Sequence, residues 1–125
     1  MAVLWQEIRL SGSKGEKKVN ALFDRGATYS IVRKDIAEKI TFIDSLPKLM
    51  EFGTASKEKK IIIKLRTSMD FYIDDTRFSD EFLVTDEIEE EVIIGAKTMQ
   101  SWRFKLDSEN ERVIFDPKVT KLIII

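Results

Sequence analysis

The stretch ALFDRGATYSIV at residues 21–32 places an aspartate, Asp24, at the end of an apolar run that reads as a strand. Gly26 follows two residues later, and a tight turn at this point can aim backbone amides at the carboxylate, which orients it and favours its charged form. One aspartate cannot easily hydrolyse a peptide bond, because activating water and protonating the leaving amine require two carboxyl groups in different protonation states. Two copies of Asp24 brought together by a twofold axis could perform both tasks.

The composition excludes most other chemistry. The 125 residues contain no His and no Cys, which removes Ser-His and Cys-His nucleophile pairs, zinc fingers and disulfides, and leaves carboxylates as the strong acid/base candidates. The 21 basic and 22 acidic residues give a net charge of -1, so we expect no nucleic acid and no membrane surface as a partner. We also expect no cofactor and no metal.

The length fits one packed core, so we expect a single domain over residues 1–125. The first ten residues contain no basic segment followed by an apolar stretch, as a secretory signal would. The longest apolar runs, 61–63 and 122–125, are too short to span a bilayer. We therefore expect a cytoplasmic location.

The elements that must position Asp24 are predicted to be mostly strands. Apolar segments at 4–10 and 19–23 flank a polar Gly/Ser turn, which predicts a hairpin. One-turn spacing of Ile36 and Ile40 predicts a helix over 33–40, closed by Leu46-Pro47, and a second short helix is predicted at 96–102, with Met99 and Trp102 on one side. Further strands are predicted at 29–32, 49–52, 61–65, 68–73, 77–84, 104–106 and 113–115.

Two motifs carry a resemblance to a known family. The segment Phe23-Asp24-Arg25-Gly26-Ala27-Thr28, followed by Ser30-Ile31-Val32, resembles the active-site loop of retropepsin-like aspartic proteases, whose motif is Asp-Thr/Ser-Gly-Ala flanked by hydrophobic residues. The second family hallmark, two hydrophobic residues and a glycine before a short helix, is matched by Ile93-Ile94-Gly95. The segment 52–60 stands where the family carries its flap, with Phe52, Gly53, Thr54, Ala55 and Ser56 as the flap and substrate-binding residues. The similarity covers nearly the whole chain and is greatest to prokaryotic and Ddi1-like members.

The resemblance implies a closed β-barrel that is active as a homodimer, with Asp24 of each subunit meeting at the twofold axis. In the family, a water molecule held between the two carboxylates attacks the scissile carbonyl, while a shared proton lets one carboxyl act as base and the other as acid. An extended peptide or unfolded protein would pair with the floor and flap by strand addition. Gly26 would supply the loop conformation, Ala27 would line the floor, and the terminal KLIII would interleave with the partner subunit.

Arg25 departs from the family pattern. In the family this position is Thr or Ser, whose hydroxyl forms a hydrogen bond across the dimer. A guanidinium cannot accept a hydrogen bond, and positive charge near the pair favours ionisation of both carboxylates. The first hypothesis is therefore an aspartic endopeptidase with activity lowered by Arg25. The second is a catalytically silent dimer of the same fold that binds extended peptides. The third is an unrelated small β-barrel in which Asp24-Arg25-Gly26 is an ordinary turn.

Other charged and aromatic groups have simpler interpretations. Asp74-Asp75 and the acidic run 86–91 lack the ligand spacing of a calcium loop and are interpreted as a turn and a solvated face. Trp5 and Trp102 are interpreted as core or interface residues. None of these groups adds a second candidate site.

Overall fold

The computed structural model describes residues 3–53 and 59–120 of the chain. Within these residues it contains nine strands, two short helices and one 3-10 helix. In chain order they are β1 (Val3–Gly12), β2 (Gly15–Asp24), β3 (Ile31–Arg33), α1 (Lys34–Ile40), β4 (Asp44–Gly53), β5 (Lys60–Ile73), β6 (Thr76–Thr85), β7 (Val92–Ile94), α2 (Ala96–Ser101), β8 (Lys105–Asp107), β9 (Arg112–Ile114) and the 3-10 helix Pro117–Thr120.

Six of the strands close into a barrel. The order is β1-β2-β7-β3-β6-β5, and pairing of β5 with β1 completes the circle, while β4 extends outward on β5. Strands β8 and β9 form a separate two-stranded sheet. The predicted mostly β fold with a closed barrel and short helices is confirmed, as is the predicted hairpin, whose strands pair from Val3↔Asp24 to Gly12↔Gly15.

Strand alternation decides which side chains face the core. On β2, Ala21 and Phe23 are fully buried, whereas Leu22 and Asp24 are only partly buried and therefore share the outer face. Inside the barrel, the phenyl ring of Phe78 lies 5.4 Å from that of Phe71 and 4.8 Å from that of Phe104. Burial of each such ring contributes about 1.5 to 3 kcal/mol, so this aromatic cluster is a major part of the core's stability.

The segment around Pro47 differs from the prediction. Leu46-Pro47 was expected to close the unit containing the first helix, but β4 runs through it. The pairing jumps from Ser45↔Leu65 to Met50↔Ile63, so four residues of β4 lie opposite one residue of β5. Proline has no N–H to give to a ladder, and this irregular stretch does not require one. The two strands expected at 61–65 and 68–73 are likewise one continuous strand, β5.

The two tryptophans have different environments. Trp102, just after α2, packs its ring 5.2 Å from that of Phe78, and its Nε1–H donates to the carbonyl oxygen of Ser79 at 3.1 Å. Trp5 on β1 is 49% exposed, so it is not a core residue. Residues 54–58 of the expected flap, 52–60, and the tail KLIII lie outside the described residues.

Hydrogen bonds from Arg33 connect the acidic run 86–91 to the barrel. Its guanidinium donates from Nε to Asp35 at 2.7 Å and from Nη1 to the carbonyl oxygen of Glu89 at 2.5 Å, and its backbone N–H donates to the carbonyl oxygen of Glu91 at 3.0 Å. The side chain of Glu91 accepts from the backbone N–H of Asn20 at 2.9 Å. The run is therefore attached to β2 and β3, and the interpretation as a merely solvated face was incomplete.

The pair formed by Arg33 and Asp35 makes stability depend on acid pH. The hydrogen bond from Arg33 lowers the pKa of Asp35, so the pair stabilises the fold above about pH 4 and this contribution disappears as the pH falls below that value. We expect Asp35→Asn to reduce the free energy of unfolding by about 0.2 to 1 kcal/mol at pH 7 and by nothing measurable at pH 2. Urea unfolding of both proteins at the two pH values tests this.

The matched control is Glu38→Gln, which removes the charge from the looser 3.8 Å contact with Lys34 on the same helix. A loss in Asp35→Asn that is as large at pH 2 as at pH 7 would contradict an electrostatic origin.

Candidate active site

Asp24 is the last residue of β2, and its carboxylate is held by the turn that follows. The backbone N–H of Gly26 donates to Oδ1 at 2.8 Å, and the N–H of Ala27 donates to the backbone carbonyl of Asp24 at 3.1 Å. The expected amide donation to the carboxylate is present. Gly26 does not have a positive φ, so this turn does not use the left-handed backbone conformation that glycine adopts more readily than other residues.

The loop after Asp24 is attached to the start of α2 by backbone hydrogen bonds. The N–H groups of Ala96 and Lys97 donate to the carbonyl oxygens of Ala27 and Thr28, at 2.7 and 3.1 Å. These amides belong to the first helical turn and have no partner within the helix, so the loop satisfies them. The structure thus brings the two sequence motifs into direct contact.

Gly95 makes this contact possible. A Cβ at this position would lie 2.5 Å from the carbonyl oxygen of Tyr29 and 2.9 Å from that of Ala27. Both are backbone atoms of the loop and cannot move away without displacing it. The glycine of the second motif is therefore required by the close approach of the Asp24 loop. Its neighbours differ in role, since Ile94 is fully buried in the core and Ile93 is only partly buried.

A chain of polar groups supports the same junction. The Gly95 N–H donates to Ser30 Oγ at 3.0 Å, Ser30 Oγ lies 2.6 Å from Thr98 Oγ1, and Thr98 Oγ1 donates to Asp80 Oδ2 at 2.5 Å. Sequence reasoning singled out none of the three side chains Ser30, Thr98 and Asp80 as a site residue. Hydroxyl spacing along the sequence carries no signal for this arrangement, because it depends on how β6 and α2 pack.

Arg25 turns back onto its own chain. Its Nη2 donates to the backbone carbonyl oxygen of Phe104 at 3.3 Å, beyond the end of α2. Among the described residues, no ion pair joins Arg25 to Asp24. The cation is directed towards the segment that follows α2, while the carboxylate is held by the turn.

An apolar row crosses the outer face of the strands beside Asp24. The pairing places Trp5 opposite Leu22, Leu22 opposite Ile93, and Ile93 opposite Ile31. All four side chains are at least partly exposed, and Leu22 is on the same face as Asp24. Sequence reasoning missed Leu22 and Ile31 as site residues, although their alternation with buried neighbours was a usable signal.

Part of the predicted flap is close to the loop. Phe52 near the end of β4 packs its ring 5.7 Å from that of Tyr29, with the two planes at 71°. Gly53 ends β4, paired with Lys60 of β5. The remaining flap residues named from the sequence, Thr54, Ala55 and Ser56, lie outside the described residues. The described base of the hairpin therefore contacts the loop that carries Asp24.

Comparison with known proteins agrees with these features. The model of the family described as retroviral aspartyl protease matches residues 16–121. The chain belongs to this family. No curated protein sequence matches the chain.

Two solved structures show that the fold is that of retropepsins. The retroviral protease-like domain of Ddi1 from Leishmania major superposes with a TM-score of 0.71 at 19% identity, covering 93% of this chain and 90% of that one. The EIAV protease complexed with the inhibitor HBY-793 superposes with a TM-score of 0.58 at 16% identity, covering 82% of this chain and 90% of that one. The predicted resemblance to Ddi1-like retropepsins is confirmed in the fold. None of the described helices of this family member is both long and apolar enough to cross a membrane.

Replacing Gly95 tests whether the retropepsin loop depends on the close approach. We expect Gly95→Ala to lower the free energy of unfolding by about 1 to 3 kcal/mol, because the added methyl group collides with backbone that has little room to move. Gly53→Ala is the control, since no atom of residues 3–53 or 59–120 lies within 4 Å of a Cβ built there. Urea denaturation of both variants measures the difference, and equal stability of the two would contradict this account of Gly95.

Proposed function

We propose that the chain is a retropepsin-like aspartic endopeptidase that acts as a homodimer, with one Asp24 from each subunit in the catalytic pair. The observation that carries the proposal is the position of Asp24 at the end of β2, its carboxylate held by the Gly26 amide at 2.8 Å within a retroviral protease fold. The sequence contains one such Asp-X-Gly stretch, so the second carboxylate must come from another copy. The whole chain, residues 1–125, would act as one domain of this kind in the cytoplasm.

Catalysis would use the two Asp24 carboxyl groups in different protonation states. Like charges at short distance cannot both ionise cheaply, so the pair retains one proton, as is established for aspartic proteases. The ionised group takes a proton from a water molecule as the water oxygen attacks the peptide carbonyl. The protonated group gives its proton to the carbonyl oxygen, which forms a tetrahedral diol. The group that took the water's proton then gives it to the amine nitrogen as the C–N bond breaks, and the other group takes a proton back from a diol hydroxyl, which restores the starting pair. The amide of Gly26 would keep each carboxylate aimed at the shared water.

An extended peptide would lie across the surface around Asp24. The apolar row formed by Leu22, Ile93 and Ile31 would receive apolar side chains of the substrate, and the β4–β5 hairpin would cover it through Phe52. The EIAV protease, which shares this fold, was determined with an inhibitor bound. The substrate class that we propose is peptides or unfolded protein segments.

Arg25 is the reason for a second candidate, a dimer of the same fold that binds peptides but associates too weakly to align the two Asp24 carboxylates for catalysis. Its guanidinium donates to Phe104 of its own chain at 3.3 Å and cannot accept a hydrogen bond from a partner subunit. Two such cations related by a dimer axis also repel each other. Both effects weaken the dimer on which the proposed catalytic pair depends.

Cleavage of an unfolded protein distinguishes the two candidates. We expect the wild-type chain to cleave reduced, denatured protein at acid pH, with Asp24→Asn lowering the rate to background because the general base is lost. Asp74→Asn, which changes an exposed carboxylate in the turn between β5 and β6, is the matched control and should retain full activity. A statine-containing inhibitor should block the reaction. Equal cleavage by wild type and Asp24→Asn would contradict the proposal.

Replacing Arg25 tests its effect on the dimer. We expect Arg25→Thr to lower the dimer dissociation constant by about tenfold or more, because it removes the repulsion and supplies a hydroxyl that can bond across the axis. Peptidase activity should increase with the dimer fraction. Analytical ultracentrifugation with parallel activity assays measures both quantities.

The matched control is Arg25→Met, which removes the charge without supplying a hydroxyl. It should gain less than Arg25→Thr in both assays. No change in association or activity in either variant would contradict the role given to Arg25.

A further inference from the structure

A polar chain that the proposed reaction does not use runs from the surface to the second motif. It starts at the partly buried carboxylate of Asp80 on β6 and passes through the hydroxyls of Thr98 and Ser30, which are 1% and 3% exposed. It ends at the backbone N–H of Gly95. Each step is a hydrogen bond of 2.5 to 3.0 Å.

The charge of Asp80 fixes the direction of every hydrogen bond in this chain. An ionised carboxylate only accepts, so the Thr98 hydroxyl must donate its proton to Asp80. Thr98 Oγ1 is then available to accept from the Ser30 hydroxyl, and Ser30 Oγ in turn accepts from the Gly95 N–H. Each group in the chain thus uses its one proton in the same direction. Aligned chains of this kind polarise one another, which strengthens each bond.

The end of the chain is where the Asp24 loop meets α2. Ser30 is the last residue of that loop, and its carbonyl oxygen accepts from the Leu83 N–H of β6 at 3.0 Å. Gly95 is the residue whose close approach to Tyr29 allows Ala96 and Lys97 to bond the loop. A change in the Ser30–Gly95 bond therefore acts directly on the support of the Asp24 loop.

We infer that Asp80 is a positioning residue that acts through Thr98 and Ser30 to hold the Asp24 loop against α2. Its hydrogen bonds within the described part of the chain go to Thr98 and Glu81 and not to Asp24, and its effect on catalysis rests on the proposed peptidase function. Its effect on the position of the loop is independent of that function, because this effect depends on the hydrogen bonds from Asp80 through Thr98 and Ser30 to Gly95.

Asparagine at position 80 has the same shape but cannot serve both donors that Asp80 serves. One carboxylate oxygen accepts from Thr98, and the other accepts from the Glu81 N–H at 2.7 Å. An amide has a single acceptor oxygen, so its NH₂ group must face either Thr98 or the Glu81 N–H. If it faces Thr98, that hydroxyl turns round and donates to Ser30, and the proton of Ser30 loses its acceptor. If it faces the Glu81 N–H, Thr98 donates to a neutral oxygen, and a charge-assisted hydrogen bond is replaced by a weaker neutral one. A buried donor without a partner destabilises the junction.

Hydrogen–deuterium exchange of the Gly95, Ala96 and Lys97 amides tests the inference without any activity assay. We expect these amides to exchange about tenfold faster in Asp80→Asn and in Thr98→Val than in wild type, with β1–β2 amides unchanged. Thr98→Ser keeps the hydroxyl and should retain wild-type exchange.

Asp70→Asn is the matched control. Asp70 is on β5, next to the partner of Asp80 in the β5–β6 pairing, and its carboxylate accepts from Arg77 at 2.7 Å without touching the polar chain. The inference is overturned if the three amides exchange equally in Asp80→Asn and Asp70→Asn, or if acceleration extends equally to the β1–β2 hairpin.

Kinetics of the same variants test the consequence for catalysis. In a protein that cleaves peptides, Asp80→Asn and Thr98→Val should lower kcat about tenfold with little change in KM, because the loop carries the reacting carboxylate and the peptide surface stays intact. Thr98→Ser keeps the hydroxyl and should retain the wild-type kcat. If no variant and no wild-type sample cleaves substrate, the proposed peptidase function fails, while the exchange rates still decide whether Asp80 positions the loop. An unchanged kcat in Asp80→Asn, with active wild type, would contradict the catalytic consequence.

Discussion

The junction between the Asp24 loop and the start of α2 is the contact on which the rest of the site depends. No side chain in the described part of the molecule caps α2, and the amides of Ala96 and Lys97 are satisfied by the backbone carbonyls of Ala27 and Thr28 instead. The same two hydrogen bonds therefore supply acceptors for the first amides of the helix and hold the Asp24 loop in place. It works only while Gly95 has no side chain between them.

Closure of the barrel brings the parts of this junction together. Strand β7 lies between β2 and β3, parallel to β2 and antiparallel to β3. The polypeptide therefore returns beside Asp24 after it has formed β4, β5 and β6. The same pairing aligns Leu22 with Ile93 and produces the apolar surface next to the carboxylate. A ladder that slipped by one residue would turn these side chains into the core and expel buried ones such as Phe23. The chemistry and the packing therefore depend on one register.

The sequence predicts the elements well where a single strong pattern acts. Period-two alternation predicts the hairpin strands. The Asp24 and Gly95 motifs are recognised from a few adjacent residues, so they can be found without knowing the tertiary packing. The strand through Pro47 was missed because a proline is compatible with a ladder only where the pairing is irregular, and sequence does not reveal that irregularity. The partner of Arg25 was equally inaccessible, since a long cation can reach many acceptors and the choice of Phe104 follows from tertiary packing. The Asp80 chain joins common residue types from separate elements, and no spacing rule marks it.

The unequal environments of the two tryptophans have an optical consequence. Trp102 has its indole N–H bonded to Ser79 and its ring against Phe78, whereas the indole of Trp5 is about half open to solvent beside Leu22. Coverage of the face that carries Asp24, whether by another subunit or by a bound strand, would dehydrate one chromophore and leave the other as an internal reference. The emission spectrum of the unlabelled protein thus contains its own reporter for the surface where chemistry is expected.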